Sequence, residues 1–357
     1  MFAKRSSSPA DKSAVSEIGI DLHPMIRINK NGRTEGVMRS PFVAASEDPG
    51  ITGVATRDVV VDRETTGVAA RLFLPIGAVA TGRKLPLVLF FHGGSSFLAA
   101  ESAFCRTYHT YATSLAARAR ALVVSVEYRL APEHPITAAY DDAWTALRWA
   151  ASSFADPWLL YHADPRITFL AGDGAGGNIA YHTAVRASRA GKDIDIEGLL
   201  LIHPYFWGSE LQWSFTTAGR AGINYDPRIN PPDEIAPLPC RRALVAVDEK
   251  GAVRERGRRL AARMRSWWWG GEVTIVELQG EDNSFFHLYG PARSSSEKLM
   301  ESVVEFVNKK PTVTPMERDG SRLNDKKEAT SGLMYCAELA PSMSAEVPRR
   351  TVTKSCL

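Results

Sequence analysis

Short runs of apolar residues recur along the chain and alternate with longer segments whose apolar residues fall at every third or fourth position. The short runs are typical of strands buried on both faces of a parallel sheet, and the longer segments of helices that bury one face. The predicted strands are 59–61, 68–74, 85–91, 121–126, 166–170, 198–203, 242–247 and 273–278. The predicted helices are 108–120, 138–152, 178–190, 252–268 and 296–308. This alternation predicts one doubly wound α/β sheet.

Four segments fall outside the alternation. Residues 1–15 are rich in Ser and Lys and are predicted to be disordered, as is the tail 311–357, which mixes Ser, Thr, Pro and both charges. Residues 18–37 alternate apolar and polar side chains around 29–32 and predict a hairpin or an irregular N-terminal cap. Residues 204–239, rich in Trp, Gly, Asn and Pro, predict a long insertion that builds a lid or pocket wall. The α/β domain is therefore expected to span residues 16–310.

The composition of the 357 residues is that of a soluble globular protein, with 45% apolar and 23% charged residues. A net charge of +3 is small for this length and indicates neither nucleic acid nor an anionic membrane as a partner. The N-terminus lacks the apolar region of a secretory signal, and no run of 18 apolar residues predicts a membrane span. The four cysteines show no CxxC spacing and are interpreted as free thiols. We expect a cytoplasmic protein, with the nucleus as an alternative location.

A glycine-rich turn lies between the strand predicted at 166–170 and the helix that follows. It reads Leu-Ala-Gly-Asp-Gly-Ala-Gly-Gly-Asn from residue 170 to residue 178. Strand, tight turn and helix in this order are typical of a nucleophile elbow, Gly-x-Ser-x-Gly, which lifts a serine above the carboxyl edge of a parallel sheet. Gly174 occupies the middle position, where the serine would stand. The pattern therefore predicts an elbow without a nucleophile.

Further motifs accompany the elbow. Phe-Phe-His-Gly-Gly spans 90–94, Glu-Ser-Ala-Phe 101–104 and Val-Ser-Val-Glu-Tyr-Arg-Leu-Ala-Pro-Glu-His-Pro 124–135. Ala-Tyr-Asp-Asp-Ala-Trp spans 139–144, His-Pro-Tyr-Phe-Trp-Gly 203–208 and Gly-Glu-Asp 280–282. In this order they make residues 15–308 resemble the plant carboxylesterases of the hormone-sensitive-lipase-like α/β-hydrolases, a group that also contains the gibberellin receptors. The resemblance implies an eight-stranded α/β-hydrolase sheet, a cap partly built from the N-terminus, and a ligand pocket over the elbow.

Ester hydrolysis on this fold needs a serine nucleophile, a histidine that takes and returns its proton, a carboxylate that orients the histidine, and N–H groups that stabilise the oxyanion. The resemblance places the serine at Gly174, the histidine at Asn283 and the carboxylate at Gly251. None of these three residues can do this chemistry. Counting back from His287 puts Ser284 at the histidine position instead, so neither register supplies a histidine. Loss of the serine alone costs about a millionfold in kcat in serine hydrolases. Ordinary esterase activity is therefore not expected.

Backbone donors for the oxyanion are implied by the resemblance at Gly93, Gly94 and Ala175. The first two follow the strand at 85–91, and Ala175 lies at the start of the elbow helix. Ser95 stands where the family has a third glycine, and the loop at 95–100 is longer than in the family. Because a His-Gly-Gly sequence also suits a tight strand exit, carbonyl or anion binding and a purely structural turn both stay open.

Several side chains are candidate substitutes for the missing triad, and each has a simpler interpretation. Asp248 and Glu249 are interpreted as solvated loop acids, and His287 as a second, non-catalytic histidine of the family. A displaced nucleophile could come from Ser95, Ser96 or Ser284. None of these serines lies on an elbow or has an adjacent base. Four further histidines are interpreted as packing and hydrogen-bonding residues: His109, His134, His182 and His203. Their spacing predicts no metal site, and no cofactor is expected.

Two further features are interpreted as surface. Six arginines between 254 and 265 predict a solvated helix face rather than an anion-binding patch. The three tryptophans at 267–269 would span about 200° of a helix, so at least one ring is expected to be exposed or to face a pocket.

The sequence thus indicates an α/β-hydrolase with a pocket for a small ester or plant metabolite and a degenerate Ser-His-Asp machinery. Three functions stay open. The first is weak carboxylesterase activity through a displaced nucleophile, and the second is binding without turnover, as in the related gibberellin receptors. The third is a non-hydrolytic elimination or cyclisation that uses acids and oxyanion donors. A decayed copy without a function is the remaining alternative.

Overall fold

The structure, a computed structural model, describes residues 18–22, 26–29, 34–36, 40–93, 101–130, 134–152, 155–191, 194–206, 228, 238–250, 254–266, 269–279 and 294–310. Near the N-terminus, β1 (Ile18–Leu22), β2 (Ile26–Asn29) and β3 (Thr34–Gly36) form an antiparallel sheet. β2 pairs with β3 as the hairpin predicted around residues 29–32, and β1 adds a strand on the other side of β2.

The apolar runs form a second, eight-stranded sheet. Its strands are β4 (Val54–Val60), β5 (Ala69–Pro75), β6 (Leu85–Phe91), β7 (Leu122–Glu127), β8 (Ala163–Asp173), β9 (Gly198–Ile202), β10 (Arg242–Asp248) and β11 (Glu272–Leu278). They lie in the order β11-β10-β9-β8-β6-β7-β5-β4. The strands from β11 to β7 are parallel, whereas β5 and β4 are antiparallel to their neighbours. The eight-stranded, mostly parallel sheet that the resemblance implies is therefore confirmed.

Helices cover both faces of this sheet. They are α1 (Ile76–Val79), α2 (Arg106–Ala119), α3 (Ile136–Ala150), α4 (Pro157–His162), α5 (Ala175–Ala190), α6 (Arg254–Ser266) and α7 (Ser294–Asn308). Strand β6 shows the division, since Leu87 and Leu89 join the core under α3, α5 and α6, while Val88 and Phe90 join the core under α2 and α7. Each parallel strand is apolar throughout because successive side chains enter opposite cores.

The predicted elements recur with shifted ends. Strand β8 begins at Ala163 rather than at residue 166, and helix α5 begins at Ala175 rather than at residue 178. The glycines at 176 and 177 lower helix propensity in the first turn. They lie in the helix because its start packs directly on the sheet.

The chain divides into a unit of Met1–Lys309 and a unit of Lys310–Leu357. Apart from Lys310, the second unit lies outside the described residues, as do residues 1–17 and most of the insertion at 204–239. The disordered ends and the lid or pocket wall predicted for these segments therefore stay predictions.

The helix of six arginines is only partly solvated, since Arg259 and Arg265 are exposed while Arg256 is half-buried over the ring of Tyr205. Arg254 and Arg258 pair with Glu277 on β11, and the buried face of α6 is built from Gly257, Leu260, Ala261 and Met264. Trp269 is buried and donates its indole N–H to the carbonyl of Cys240 at 2.7 Å. The other two tryptophans lie outside the described residues.

An ion pair between a buried guanidinium and an exposed carboxylate joins the two antiparallel strands at the sheet edge. Asp58 on β4 lies opposite Arg71 on β5, whose side chain is fully buried. The Nε and Nη2 groups of Arg71 donate to the two carboxylate oxygens of Asp58 at 2.6 and 2.8 Å. The Nη1 group donates to the carbonyl of Val43 at 2.7 Å. Arg71 therefore ties both β4 and the preceding segment to the sheet.

Replacing Arg71 by Met should lower the free energy of unfolding by about 3 kcal/mol, because it leaves a carboxylate and a carbonyl without their buried donor. Urea unfolding measures the loss. Lys309→Met is the control, since Lys309 and its partner Glu272 are both exposed, and it should cost less than about 1 kcal/mol. Equal losses in the two variants would contradict this role of Arg71.

Candidate functional site

The turn between β8 and α5 has the backbone of a nucleophile elbow. Gly174 immediately precedes α5 and has φ 55° and ψ −113°, a conformation that residues with a Cβ adopt only under strain. A Cβ at position 174 would have no heavy atom of the described residues within 4 Å. None of the described residues therefore blocks the space that a nucleophilic side chain at this position would occupy.

Neighbouring residues hold Gly174 through its backbone. Its N–H donates to the carbonyl of Ile202 at 2.9 Å, and its carbonyl accepts from the N–H of Tyr205 at 3.0 Å. The buried side chain of Asn178 braces the same region, donating to the carbonyls of Tyr205 at 2.9 Å and Arg228 at 2.8 Å. None of these bonds involves a side chain at position 174, so the elbow does not need the serine to keep its shape.

Two other glycines let α5 approach the sheet. A Cβ on Gly172 would lie 2.2 Å from the backbone of Gly176, and a Cβ on Gly176 would lie 1.9 Å from the carbonyl oxygen of Phe91. Both separations are far shorter than a van der Waals contact. The outer glycines of the motif are therefore required by backbone packing, whatever residue stands between them.

The expected oxyanion donors differ in their surroundings. Ala175 is the buried first residue of α5, where a backbone N–H has no intrahelical acceptor and faces the positive end of the helix dipole. The N–H of Gly93 instead donates to the hydroxyl of Tyr108 at 2.7 Å. A Cβ on Gly93 would also come within 2.7 Å of Asp173. Gly93 is thus a packing residue whose N–H is already engaged, which corrects its assignment as a donor. Gly94 lies outside the described residues.

Three ionisable side chains meet at the carboxyl ends of adjacent strands beside the elbow. Asp173 ends β8, His203 follows β9 and Asp248 ends β10, and all three are buried. The Nε2 atom of His203 lies 3.0 Å from Oδ1 of Asp248, and its Nδ1 atom lies 3.8 Å from Oδ1 of Asp173. The interpretation of Asp248 as a solvated loop acid is therefore wrong, whereas Glu249 is exposed as predicted.

The two carboxylates set the charge of His203. Burial alone would lower the pKa of the imidazole, but the hydrogen bond to Asp248 and the negative charges of Asp173 and Asp248 outweigh burial and raise the pKa to about 9. At neutral pH His203 is therefore an imidazolium and cannot accept a proton as a general base. His92 differs, because burial lowers its pKa and the more distant Glu127 compensates only in part.

Hydrogen bonds connect these charges to the loop after β6. Tyr108 on α2 donates to Oδ2 of Asp173 at 3.2 Å and accepts from Gly93. Tyr128 donates to the carbonyl of His92 at 2.7 Å and stacks on the imidazole ring, with the ring centroids 4.3 Å apart. Two buried tyrosines thus fix the start of the loop that the sequence assigns to the oxyanion.

The other sequence candidates do not join this site within the described residues. His109 contacts the guanidinium of Arg71 at 3.2 Å, and His182 bonds to the carbonyl of Arg228 at 2.7 Å. Several candidates lie outside the described residues: Gly251, Asn283, His287, Ser95, Ser96 and Ser284. In the described part of the chain, no group of three His, Cys, Asp or Glu residues could hold a metal ion. None of the described helices combines the length and apolar character needed to cross a membrane.

Comparisons with known proteins agree with this geometry. A family model described as the alpha/beta hydrolase fold matches residues 88–222. The chain is 34% identical over 317 residues to probable carboxylesterase 2 of Arabidopsis thaliana, covering 83% of this chain and 98% of the relative. It is 34% identical over 331 residues to the 2-hydroxyisoflavanone dehydratase of Glycyrrhiza echinata, covering 84% and 99%. Among solved structures, EstE1, a carboxylesterase cloned from a metagenomic library, matches with TM-score 0.60 and 25% identity, covering 76% of this chain and 90% of that chain.

Alanine substitutions in the elbow should distinguish the two reasons for which a glycine is needed there. One reason is the close approach of a neighbouring backbone, and the other is a backbone conformation that strains other residues. Gly176→Ala places a methyl group into the Phe91 carbonyl and should destabilise the fold by more than about 4 kcal/mol or prevent folding. Gly174→Ala meets open space and should cost only about 1–3 kcal/mol of backbone strain. Urea unfolding and soluble yield measure both variants. A larger loss for Gly174→Ala than for Gly176→Ala would contradict the elbow geometry.

The stability of the protein should depend on the protonation of His203. A raised folded-state pKa means that the ion cluster stabilises the fold fully below the unfolded-state pKa of about 6.5 and loses that contribution as the pH rises through about 9. We expect the free energy of unfolding to fall by up to about 3 kcal/mol across this window, and His203→Gln to remove the fall. Urea unfolding at a series of pH values checks this; equal slopes for the two proteins would contradict it.

Proposed function

This chain belongs to the plant carboxylesterase family of α/β-hydrolases, and from that premise we propose that it binds a small ester or related plant metabolite over the elbow without working as a serine hydrolase. The observation that carries the proposal is Gly174, which keeps the elbow backbone and leaves open space where the nucleophile would stand. The location remains as predicted, in the cytoplasm or the nucleus.

The missing side chains support inactivity in ester hydrolysis. Gly174 has no group to attack a carbonyl, and the family resemblance puts Gly251 and Asn283 at the positions of the carboxylate and the histidine. His203, which faces Asp173 directly before Gly174, is held as a cation and cannot serve as the base. What such a site retains is binding and oxyanion stabilisation, which account for only about 10³–10⁴ of rate over water in serine hydrolases.

The polar groups beside the elbow support a neutral ligand. The N–H of Ala175 at the start of α5 suits a carbonyl or hydroxyl oxygen. Two carboxylates and one imidazolium beside the elbow, those of Asp173, Asp248 and His203, carry a net negative charge. A free carboxylate brought close to them would be repelled, so an ester or an alcohol is favoured over an acid.

A non-hydrolytic elimination is the second candidate function. It is favoured by the similarity to the Glycyrrhiza echinata dehydratase, whose name describes loss of water rather than ester cleavage. Elimination needs groups that move a proton and stabilise a carbonyl oxygen, but no serine nucleophile. Weak ester hydrolysis through a displaced nucleophile is the remaining alternative, and the labelling experiment below distinguishes it.

Restoring the triad tests the proposed inactivity. Purified protein should neither hydrolyse p-nitrophenyl acetate or butyrate nor be labelled by a fluorophosphonate probe, since it lacks an activated serine. The triple variant Gly174→Ser, Gly251→Asp and Asn283→His should gain labelling and turnover, because the space at position 174 admits a side chain. The activity gain should be at least about 10³-fold over the unmodified protein.

The matched control carries Ala instead of Ser at position 174 in the same triple background and should stay unlabelled. Labelling of the unmodified protein would overturn the proposal and favour a displaced nucleophile. A folded triple variant without labelling would argue against an intact carbonyl site at this elbow. Binding is measured by thermal shift with matched esters and free acids of phenolic metabolites, since a ligand at 100 times its Kd stabilises the fold by about 2.7 kcal/mol.

A further inference from the structure

We propose that Tyr108, Asp173, His203 and Asp248, here called the polar chain, form a positioning device that fixes both backbone segments bounding the ligand site. These segments are the elbow at Gly174 and the start of the loop at Gly93. The inference goes beyond the proposed function because it concerns how the site is held rather than what it binds. It rests on that function only in treating this edge as a ligand site.

The contact with the elbow runs through the backbone around His203. His203 lies between Ile202, whose carbonyl accepts from Gly174, and Tyr205, whose N–H donates to Gly174. Its own backbone is left-handed, with φ 43°, which is an unfavourable conformation for a residue with a Cβ. The bond to Asp248 at 3.0 Å and a backbone bond to Ala246 at 2.9 Å hold it there. The ion pair therefore stabilises the segment that grips Gly174.

The contact with the loop runs through Asp173 and Tyr108. Asp173 directly precedes Gly174, with Oδ1 facing His203 and Oδ2 accepting from Tyr108. Tyr108 in turn accepts the N–H of Gly93 at 2.7 Å. The polar chain consequently crosses the carboxyl ends of β10, β9, β8 and β6, and its two ends touch the two segments that a ligand over the elbow would contact.

Energetics favour positioning over stability as the role of the polar chain. A buried ion pair usually adds little stability compared with apolar packing, but removing one of its partners is costly. The pair also requires a specific geometry of the two side chains. Apolar side chains could fill the same volume, but they would leave the N–H of Gly93 and the hydroxyl of Tyr108 without the polar partners that connect them to β8. A charge-assisted hydrogen bond such as that between His203 and Asp248 is short and directional, so it also restricts the orientation of the groups that it joins.

Several titratable groups among the described residues face the polar chain. His203 faces Asp173 on β8 and Asp248 on β10. The charge of Asp173 is also felt by His92 after β6 and by three tyrosines, which are Tyr108, Tyr111 and Tyr128. Burial raises the pKa of Tyr111 and Tyr128, so both are neutral near pH 9, where His203 titrates.

Hydrogen exchange of the full chain, measured by mass spectrometry, tests the proposal. Asp248→Asn keeps the shape of the side chain and removes its charge. We expect exchange to rise about tenfold in peptides that contain 88–93 and 171–178, while peptides from β4 and β5 stay unchanged. Tyr108→Phe removes the hydroxyl that joins Gly93 to Asp173 but leaves the pairing of His203 with Asp248 in place, so it should raise exchange more at 88–93 than at 171–178.

Two further measurements separate positioning from general destabilisation. NMR of ¹⁵N-labelled histidines, with His203→Gln for assignment, should show His203 titrating near pH 9 in the unmodified protein and in Tyr108→Phe, but at lower pH in Asp248→Asn. Asp164→Asn is the matched control, because Asp164 lies at the opposite end of β8 and pairs with the exposed Arg166. It should change neither the titration nor the exchange at 88–93 and 171–178.

The proposal is overturned if Asp248→Asn raises exchange equally in all peptides, or at 171–178 without any change at 88–93. If Asp248→Asn does not fold, Tyr108→Phe still decides, since unchanged exchange at 88–93 in that variant refutes the link to the loop. The exchange experiment uses no ligand. Its failure would leave the proposed binding function standing, and failure to bind esters would leave the positioning role standing.

Discussion

Helix α5 begins against strands β6 and β8 at backbone contact distance, and the ligand edge is arranged around that contact. Gly172 and Gly176 permit it, since a methyl group on Gly176 would overlap the carbonyl of Phe91. With strand and helix this close, the residue between them must turn sharply, which gives Gly174 its φ of 55°. The same turn places Asp173 and the N–H of Ala175 at the carboxyl end of the sheet. The geometry of the elbow is thus a consequence of backbone packing and not of catalysis.

Electrostatics then determine what this edge can do. The conventional arrangement needs a neutral histidine that can take a proton from a serine. Here the buried histidine beside the elbow lies between two carboxylates and is a cation at neutral pH, so it holds a proton instead of exchanging one. The imidazolium organises the surrounding backbone, and the proposed binding role requires an organised edge but no proton transfer. The charge state of His203 is therefore compatible with binding and excludes His203 as a substitute for the missing general base.

Local patterns predicted most of the fold, because each buried strand carries its own apolar signal; β6 spans 85–91 as expected. The site was less predictable, since its contacts join residues far apart in sequence. Asp248 reads as a loop acid because nothing near it in sequence shows that His203 lies 3.0 Å away. Gly93 reads as an oxyanion donor because the sequence does not show that Tyr108 already accepts its N–H. One signal was available: Asp248 directly follows the apolar run at 242–247, and the end of a buried parallel strand is a common site for functional side chains.

A glycine at position 174 has a physical consequence beyond the loss of a nucleophile. A serine in the same conformation would carry about 1–3 kcal/mol of backbone strain, which glycine does not. The elbow is therefore less strained without its serine, and the hydrogen bonds that Gly174 donates to Ile202 and accepts from Tyr205 hold it in shape. A Gly-x-Gly-x-Gly elbow is accordingly a stable structure in its own right, and its presence carries no information about turnover. What distinguishes a binding site from a mere relic is the set of buried charged groups beside it, because their desolvation is unfavourable and their mutual geometry is specific. The polar chain supplies that set, and it supports a retained ligand site more strongly than the elbow motif does.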